Sequence, residues 1–530
     1  MTQNNDILDE STKRTTGASA LTSNIEAAKA VASIIKTTLG PMGMDKMLID
    51  STGESIITND GVKILKEMEI EHPGAKMLVE VAKTQENEVG DGTTTAVIFS
   101  GELLSNAQEL LFKKIHPTTI IKGYKLASDE ALKVLTKSSV KVDPTNKKML
   151  TDLCSTAMTG KVAEFSKEIL TQIIFEAVNF VKDEKGISKK NIKILKATGG
   201  DTKDSFIVEG VVLDRDVANF NMPKKISNAK ILLVDFPLEI RELDSDAKVN
   251  INSVEEYEEF VKSEENYLRN IVSKIKEVGA NVVVCQKGID DNVAYYLAKE
   301  GIMGIRRSRK SDLERLSLTL GVSVISNIEE LNSNNLGKCK SVKVEEILNE
   351  NYIFVEGFSK PKSVTLFLKA STRHFLDEIE RAVDDVLGDI SSILNSKRIV
   401  AGGGAIELEL YMEVMKFSKT FSGKEQLVVE NYAKSFLSIP KILCENSGLD
   451  EIDTIAKLIS EHEKGKTKCG INSFKGVVND TIKEGIIEPI NIKSQAIKSS
   501  TENSSMILRI DDIIAAKKLT QKDLDSMSDF

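Results

Sequence analysis

The two ends of the chain share one sequence pattern, and its middle has another. Up to about Pro144, and again after Gly402-Gly403-Gly404, apolar residues recur at the spacing of amphipathic helices with few strand signals. Between these parts, buried-strand patterns at 230–235 and 281–285 flank a long polar helix predicted over 254–277, which is typical of an α/β layer. With 530 residues the chain also exceeds what one hydrophobic core supports. The sequence therefore predicts a multidomain protein, α plus α/β, whose helical domain is discontinuous.

Local signals predict where the first elements begin and end. Residues 1–17 are polar, which predicts a mobile segment, and an S-x-x-E capping box at Ser23 and Glu26 predicts the start of the first helix. Gly40 and Pro41 end that helix. A hairpin is predicted over 47–57, and 93–112 reads as an apolar helix.

Charge and composition exclude several classes of protein. The formal net charge is −9, which disfavours a general nucleic-acid binder. The polar N-terminus lacks the apolar core of a secretory signal, and no run of about 18 apolar residues exists to cross a bilayer. Five scattered cysteines and four histidines predict neither a zinc site nor a disulfide framework. We expect a cytoplasmic protein without nucleic-acid or membrane partners.

One local motif suits phosphate. Gly90-Asp91-Gly92-Thr93-Thr94-Thr95 opens a helix, and a helix N-terminus offers unpaired N–H groups and a positive dipole end. Asp91 supplies the carboxylate that Mg²⁺ prefers. The alternative is an ordinary N-cap made by Asp91 or Thr93. The residues alone favour neither phosphate binding nor the N-cap over the other.

Three other features are weaker when considered singly. Thr38-Leu39-Gly40-Pro41 could approach an anion with its backbone, but a generic helix C-cap is the simpler explanation. Asp60 and Asp385 could orient a water molecule, yet each is more simply explained, Asp60 as a helix N-cap and Asp385 as part of a solvated helix face. The turn at 401–405 could pack on a base or ribose, or serve as a hinge. The usual signatures of NTPases, dehydrogenases, zinc proteases and hydrolases are absent from the sequence.

Together and in order, these pieces resemble the group II chaperonins, which comprise the archaeal thermosome and the subunits of the eukaryotic cytosolic chaperonin. The resemblance covers nearly the whole chain and looks closer to the archaeal members. It rests on TTLGPMGMDKM at 37–47, TNDGV at 58–62, VGDGTTT at 89–95, HP at 116–117, CQKGIDD at 285–291, LAKEG at 297–301, AGGGA at 401–405, GIIEP at 485–489, QAIK at 495–498 and ILRIDD at 507–512.

The resemblance implies the chaperonin fold with three domains. These are a mostly helical equatorial ATPase domain (1–143 and 401–530), a mixed intermediate hinge domain (144–213 and 366–400) and an α/β apical domain (214–365) with a helical protrusion at 239–276. In this family the protrusion closes the cavity in place of a separate lid protein. The chain departs from the family in its C-terminal tail, 523–530, and in LTLGV at 318–322.

The family's site carries over residue by residue. The catalytic acids look like Asp60 and Asp385, and the Mg²⁺-binding acid looks like Asp91. The γ-phosphate sensor looks like Lys161, in Thr159-Gly160-Lys161. The remaining ATP-binding positions are Thr38, Leu39, Gly40, Pro41, Asn59, Gly92, Thr93, Thr94 and Thr95 towards the phosphates, and Gly403, Asn472, Ser473, Phe474 and Glu488 towards the ribose and base.

The implied function is an ATP-dependent chaperone. Subunits, identical or sister, would form two stacked rings that enclose non-native proteins, with ATP and Mg²⁺ as cofactors. Two alternatives stay open at this point: a ring subunit that binds nucleotide poorly and acts as a scaffold, and an acidic α/β binding protein without nucleotide chemistry. Intact Asp60, Asp91 and Asp385 argue against the scaffold.

Overall fold

The computed structural model describes residues 13–49, 53–143, 146–182, 187–240, 253–359 and 361–515. The chain divides into two compact units. The first unit combines Met1–Glu164 with Asp384–Phe530, and the second unit is Phe165–Val383. Within the described ranges, no helix combines the length and apolar character needed to cross a membrane.

The described part of the chain is mostly helical. Its α-helices are α1 (Ala18–Lys36), α2 (Gly61–Glu67), α3 (Pro73–Val89), α4 (Thr93–Phe112), α5 (Pro117–Ser138), α6 (Lys147–Met158), α7 (Lys167–Val181), α8 (Val254–Val278), α9 (Asp291–Lys299), α10 (Lys310–Leu320), α11 (Arg373–Ser396), α12 (Ala405–Ser418), α13 (Gly423–Ser435), α14 (Ser438–Asn446), α15 (Glu451–Glu463) and α16 (Ile490–Leu508).

Short strands lie between these helices. They are β1 (Lys13–Thr16), β2 (Lys46–Ile49), β3 (Ser55–Thr58), β4 (Val140–Lys141), β5 (Ile192–Thr198), β6 (Phe206–Val208), β7 (Gly210–Leu213), β8 (Lys225–Val234), β9 (Val282–Cys285), β10 (Met303–Ile305), β11 (Gly337–Ile347), β12 (Glu350–Glu356), β13 (Val364–Ala370), β14 (Arg398–Ala401), β15 (Cys469–Asn472), β16 (Val477–Asp480), β17 (Ile487–Pro489) and β18 (Asp512–Ala515).

Helix α4 is the centre of the first unit. Its residues 96–101 are buried on every face, whereas Glu109 and Phe112 near its C-terminal end are exposed. Helices α1, α3, α13 and α16 pack around it. Gly101 allows α4 to approach α1 closely, because a Cβ atom there would lie 2.4 Å from Cβ of Ala32. This packing fixes the N-terminus of α4, where the Gly-Asp-Gly-Thr motif lies.

The second unit is built on a six-stranded mixed sheet in the order β10-β9-β8-β11-β12-β7. Strands β8, β9 and β10 are parallel, and both faces of the sheet are covered. Leu232 and Val234 join a core on one face with α8 and α9, whereas Ile231 and Leu233 join the core of the other face with α10. Alternate residues of one strand therefore serve two cores, as a strand covered on both faces requires. A separate three-stranded sheet has the order β5-β13-β6.

Most predicted elements are confirmed, including the hairpin predicted over 47–57, the helices at 93–112 and 254–277, and the strands at 230–235 and 281–285. Mostly helical architecture with mixed sheets is likewise confirmed. Division into three domains at 143, 213, 365 and 400 stays a prediction. Residues 241–252 of the predicted protrusion and the tail at 523–530 lie outside the described residues.

Two predictions at the N-terminus are wrong. Residues 13–16 of the segment expected to be mobile form β1, which pairs antiparallel with β18, and residues 1–12 are outside the described part. Helix α1 begins at Ala18, one turn before the predicted capping box. Ser23 lies inside the helix, and its hydroxyl contacts Nε2 of His72 at 3.0 Å instead of capping the backbone.

Candidate functional site

The turn between α3 and α4 presents uncapped backbone N–H groups. Gly90 and Gly92 both have left-handed φ angles, 85° and 78°. Gly92 is the N-cap residue of α4, and no side chain caps the helix. Asp91 Oδ1 instead accepts from the N–H of Gly92 at 2.6 Å, so the ordinary N-cap alternative is not what forms here. The N–H groups of Thr93, Thr94 and Thr95 are thus left in the arrangement that suits an anion.

Asp60 caps α2 and also faces this turn. Its carboxylate accepts from the N–H groups of Val62 at 3.2 Å and Lys63 at 3.1 Å, which confirms the N-cap prediction. Thr93 donates its hydroxyl to the same carboxylate at 3.4 Å. Gly61 makes this closeness possible, because a Cβ there would lie 2.7 Å from Oγ1 of Thr94. The N-terminus of α2 therefore lies directly against the N-terminus of α4.

Asp385 is paired with a lysine and is not a solvated residue, so its simplest interpretation is wrong. Lys161 Nζ lies 2.6 Å from Asp385 Oδ2, and the two side chains are 24% and 20% exposed. Burial raises the pKa of Asp385 to about 7, although Lys161 opposes this shift. Burial would lower the pKa of Lys161, but the neighbouring carboxylates, Asp385 first, raise it. The pair sits within electrostatic reach of Asp91 and Asp60.

Two glycines allow α11 to approach the turn at residues 90–95 between α3 and α4, which we call the phosphate turn. A Cβ on Gly90 would lie 3.2 Å from Cα of Gly388, so the backbones nearly touch. One helical turn beyond Asp385, Asp389 is only 3% exposed, and its Oδ1 has no hydrogen-bond partner. Burial and the negative charges of Asp91 and Asp385 raise the pKa of Asp389 well above its ordinary value.

The loop after α1 lies against the lysine-bearing loop. Asn59 donates its amide to the carbonyl of Gly160 at 3.1 Å. A Cβ on Gly160 would lie 2.6 Å from Cα of Pro41. Thr38 is buried and donates to the carbonyl of Ile35. Asn446 donates to the carbonyl of Leu39 at 2.8 Å and so helps to fix the loop. The structure thus brings 38–41, Asn59 and Lys161 together.

The predicted nucleoside residues form a second group. A Cβ on Gly403 would lie 2.5 Å from the carbonyl oxygen of Ile471, which places the glycine turn against the strand that ends in Asn472. Asn472 is buried and donates to Glu484 at 2.5 Å. Ser473 is buried as well, while Phe474 is 55% exposed. Glu488 Oε2 is bound by Lys493 at 2.7 Å.

Sequence reasoning missed four residues of this region. Gln85 is fully buried and donates to the carbonyls of Asp91 at 2.9 Å and Ile492 at 3.1 Å, so it fixes the phosphate turn against α16. Asp389 had a signal in the sequence, since it follows Asp385 at the i, i+4 spacing of one helix face. Lys493 and its partner Glu407 had none, because only the tertiary fold joins them.

The carboxylate of Asp91 and the uncapped N–H groups beside it fit a site that binds Mg²⁺ and phosphate together. Within the described ranges, no three His, Cys, Asp or Glu side chains form a group that could hold a metal by themselves. Mg²⁺ is commonly bound by one or two carboxylates plus substrate phosphates, and Asp91 beside uncapped N–H groups provides that arrangement. The residues therefore fit the nucleotide and its metal.

Comparison with known proteins shows the family of this chain. A model of the TCP-1/cpn60 chaperonin family matches residues 31–518. The chain belongs to this family. A thermosome subunit of Pyrococcus horikoshii is 48% identical over 97% of this chain and 95% of its own length. A thermosome subunit of Methanopyrus kandleri is 45% identical, and thermosome subunit alpha of Archaeoglobus fulgidus is 44% identical, each over 97% of this chain and 95% of the relative.

The chain is therefore a group II chaperonin, as its motifs predicted, and it acts as a molecular chaperone. Members of this family depend on ATP, so nucleotide use follows for this group II chaperonin. Both residue groups described above lie in its first unit.

Proposed function

We propose that this group II chaperonin subunit binds Mg²⁺ and ATP in its first unit and hydrolyses the ATP to drive protein folding. The observation that carries the proposal is the convergence of two acids on one uncapped helix start. Asp60 contacts Thr93, and Asp385 lies on α11 about one turn before Gly388, whose backbone lies against Gly90. Phosphoryl transfer to water needs positioning and charge stabilisation more than covalent chemistry, and these are the functions that such residues supply.

Each residue has a separate task in the proposal. The N–H groups of Thr93 to Thr95 and the loop at 38–41 bind phosphate oxygens. Asp91 would hold Mg²⁺, which would neutralise charge on the phosphates. Asp60 and Asp385 accept hydrogen bonds from the attacking water and orient it. Its proton passes to one of these carboxylates, and the raised pKa of Asp385 suits that role.

Lys161 couples the state of the nucleotide to the position of Asp385. An ammonium group that is paired with a carboxylate can exchange that partner for a γ-phosphate oxygen. When Lys161 turns to the phosphate, Asp385 is released to contact the water. The contact between Gly160 and Pro41 supports this exchange, because it keeps the lysine loop beside the phosphate loop.

The ribose and base occupy the second residue group. The turn at Gly403 packs on β15, and Glu488 offers its carboxylate beside it. Gln85 joins this group to the phosphate turn through Ile492 and Asp91. We therefore propose that Gly403, Asn472, Ser473, Phe474 and Glu488 surround the nucleoside.

Closure by a built-in lid is supported by α8. Its C-terminal half packs on the second unit through Leu268 and Ile271, whereas its N-terminal half is exposed. Val254, Tyr257 and Val261 lie on that half at helical spacing and are 72%, 57% and 42% exposed. An apolar row that the described residues leave exposed suits contact with neighbouring protrusions or with a non-native protein. We propose that 239–276 is the lid and that no separate lid protein is needed.

A ring of subunits is supported by two small sheets of the first unit. Among the described residues, the β2–β3 hairpin and the β1–β18 pair are both two-stranded sheets, so their outer edges are unpaired there. On the hairpin, Met47 and Ile49 are 64% and 71% exposed. A head-to-tail contact between one sheet of each subunit and the other sheet of the next would repeat around a closed ring. We propose that two such rings stack and enclose non-native proteins.

Refolding of a chemically denatured protein tests the proposed function. The wild-type chaperonin should raise the yield of active refolded protein when ATP and Mg²⁺ are present, and the yield should fall when ATP is omitted. Asp385→Asn serves as the control, since it should bind ATP and capture the denatured protein without releasing it folded. Equal yields with and without ATP would contradict the proposal.

A further inference from the structure

Lys493 is the centre of a buried charge cluster at the proposed nucleoside end of the site. Its Nζ lies 2.8 Å from Oε1 of Glu407 and 2.7 Å from Oε2 of Glu488. The side chains of Lys493 and Glu407 are 7% and 5% exposed, whereas Glu488 is 25% exposed. Glu407 lies in the first turn of α12, Lys493 in the first turn of α16, and Glu488 in β17. Of the three side chains, Glu488 alone reaches an open surface.

The ammonium group of Lys493 favours the ionised form of Glu488. Burial raises the pKa of Glu488, and Lys493 opposes that shift. Burial would lower the pKa of Lys493, but Glu407 and Glu488 outweigh it and raise the value. Without the lysine, two carboxylates would share a poorly solvated space, and one of them would take up a proton. A protonated Glu488 would donate a hydrogen bond from the position where an ionised one accepts.

Backbone contacts fix the direction of the Glu488 carboxylate. Strand β17 pairs with β14, with Glu488 opposite Val400. A Cβ on Gly402 would lie 3.2 Å from Oε1 of Glu488, so this oxygen lies beside the turn at 402–404. The other oxygen, Oε2, forms the ion pair with Lys493. One carboxylate oxygen is thus anchored inside the protein, and the other lies beside the turn that we propose for the nucleoside.

We propose that Lys493, supported by Glu407, is a positioning residue that holds Glu488 as an ionised acceptor for a ribose hydroxyl, and so sets the preference for ribonucleotides. The inference rests on the proposed function, because it requires a nucleotide at this site. A site built to accept a hydrogen bond from a substrate hydroxyl rejects the analogue that lacks it, since its own polar group then stays unpaired. Lys493 acts through Glu488 and does not touch the nucleotide.

Equilibrium binding of ATP, 2′-deoxyATP and 3′-deoxyATP in the presence of Mg²⁺ tests the assignment. The wild-type protein should bind ATP about tenfold more tightly than at least one deoxy analogue, as expected for a hydrogen bond to a charged group. Lys493→Met should lose most of that ratio. The loss should come from weaker ATP binding, while affinity for the discriminated analogue stays nearly constant. Glu488→Gln should reduce the ratio similarly, and the double variant should add little to either.

Two further variants separate positioning from stability. Lys493→Arg keeps the charge and should retain part of the preference. Lys193→Met is the matched control in the second unit, because Lys193 is also a buried lysine, 4% exposed, and lies 2.8 Å from Asp312. It should lower the melting temperature without changing the ratio of ATP to deoxyATP affinity.

The possible failures are distinguishable. A wild-type protein that binds no nucleotide overturns the proposed function and this inference with it. Binding of all three nucleotides with equal affinity overturns the ribose contact of Glu488, and so the inference. A preference that survives in folded Lys493→Met overturns the positioning role alone. If Lys493→Met does not fold, an unchanged ratio in Glu488→Gln overturns it instead.

Discussion

Lys161 Nζ and Asp385 Oδ2 lie 2.6 Å apart, although 224 residues separate them in the sequence. The lysine comes from the loop after α6 and the aspartate from the middle of α11. Both side chains are mostly buried, so neither charge is stabilised by water alone. The pair connects a loop that contacts Pro41 with a helix that contacts Gly90. In the proposed mechanism, the pair occupies the position from which phosphate binding is transmitted to Asp385.

We predict that Lys161→Met shifts the acid limb of the ATPase pH profile to higher pH. Burial raises the pKa of Asp385 to about 7, and Lys161 opposes that rise. Removing the ammonium should raise the pKa further, by about one unit or more. The ionised form that accepts from water would then be complete only at higher pH. Steady-state phosphate release from about pH 6 to about pH 9 measures the shift. Lys161→Arg should keep the limb near its wild-type position, and a limb that moves to lower pH in Lys161→Met would contradict the pairing.

Asp389→Val should stabilise the nucleotide-free protein. The aspartate is 3% exposed, with one oxygen atom unpaired, and removing such a group relieves about 1–3 kcal/mol. Its pKa is raised by burial, so the folded state holds a proton that the unfolded state loses above about pH 4. Wild-type stability therefore falls as pH rises from there, and the gain in melting temperature should be larger at about pH 8 than at about pH 5. An equal gain at both pH values would show that the carboxyl group does not titrate in this way.

Gly160→Ala should destabilise the protein more than Gly53→Ala does. Both glycines have left-handed φ angles, 75° and 85°, so both substitutions introduce the same kind of backbone strain. At Gly160 the new Cβ would also lie 2.6 Å from Cα of Pro41, whereas at Gly53 no atom of the described residues lies within 4 Å. We expect an additional cost of about 1–3 kcal/mol and a higher KM for ATP at position 160 only. Thermal unfolding and ATPase kinetics measure the two effects, and matching results for both variants would exclude the loop contact.

Ile49→Lys should prevent ring assembly. The residue is 71% exposed on a two-stranded hairpin, and a charge there would be buried if the hairpin meets a neighbouring subunit. Size-exclusion chromatography with light scattering should give a particle on the order of one megadalton for the wild type and a much smaller one for the variant. Val254→Lys, at an equally exposed apolar position of α8, should leave the particle intact. A full-sized particle with Ile49→Lys would place the ring contact elsewhere.

Local rules predicted much of this fold, and they failed where tertiary contacts decide. Asp60 was predicted as an N-cap because the cap interaction spans three residues. Ser23 satisfied the same local rule, yet its hydroxyl contacts His72, and α1 begins a turn earlier. Strand β1 was missed because its partner β18 lies at the other end of the chain.

The candidate site shows the same difference between residues with a local sequence signal and residues that only tertiary contacts bring together. Its phosphate turn is a continuous motif, so the sequence could indicate it. Asp385 had no local signal that distinguished it from a surface acid, and the family resemblance was needed to single it out. Lys493 was missed altogether, since its partners lie in β17 and α12.

Phosphate release under saturating ATP and Mg²⁺ tests the central claim most directly. The wild-type chaperonin is compared with Asp60→Ala and Asp385→Ala, and bound ATP is measured in the same samples. We expect both variants to retain bound ATP while turnover falls by about 10²-fold or more, since each acid orients the attacking water. Full turnover in both variants would contradict the assignment of this site as the one that hydrolyses ATP.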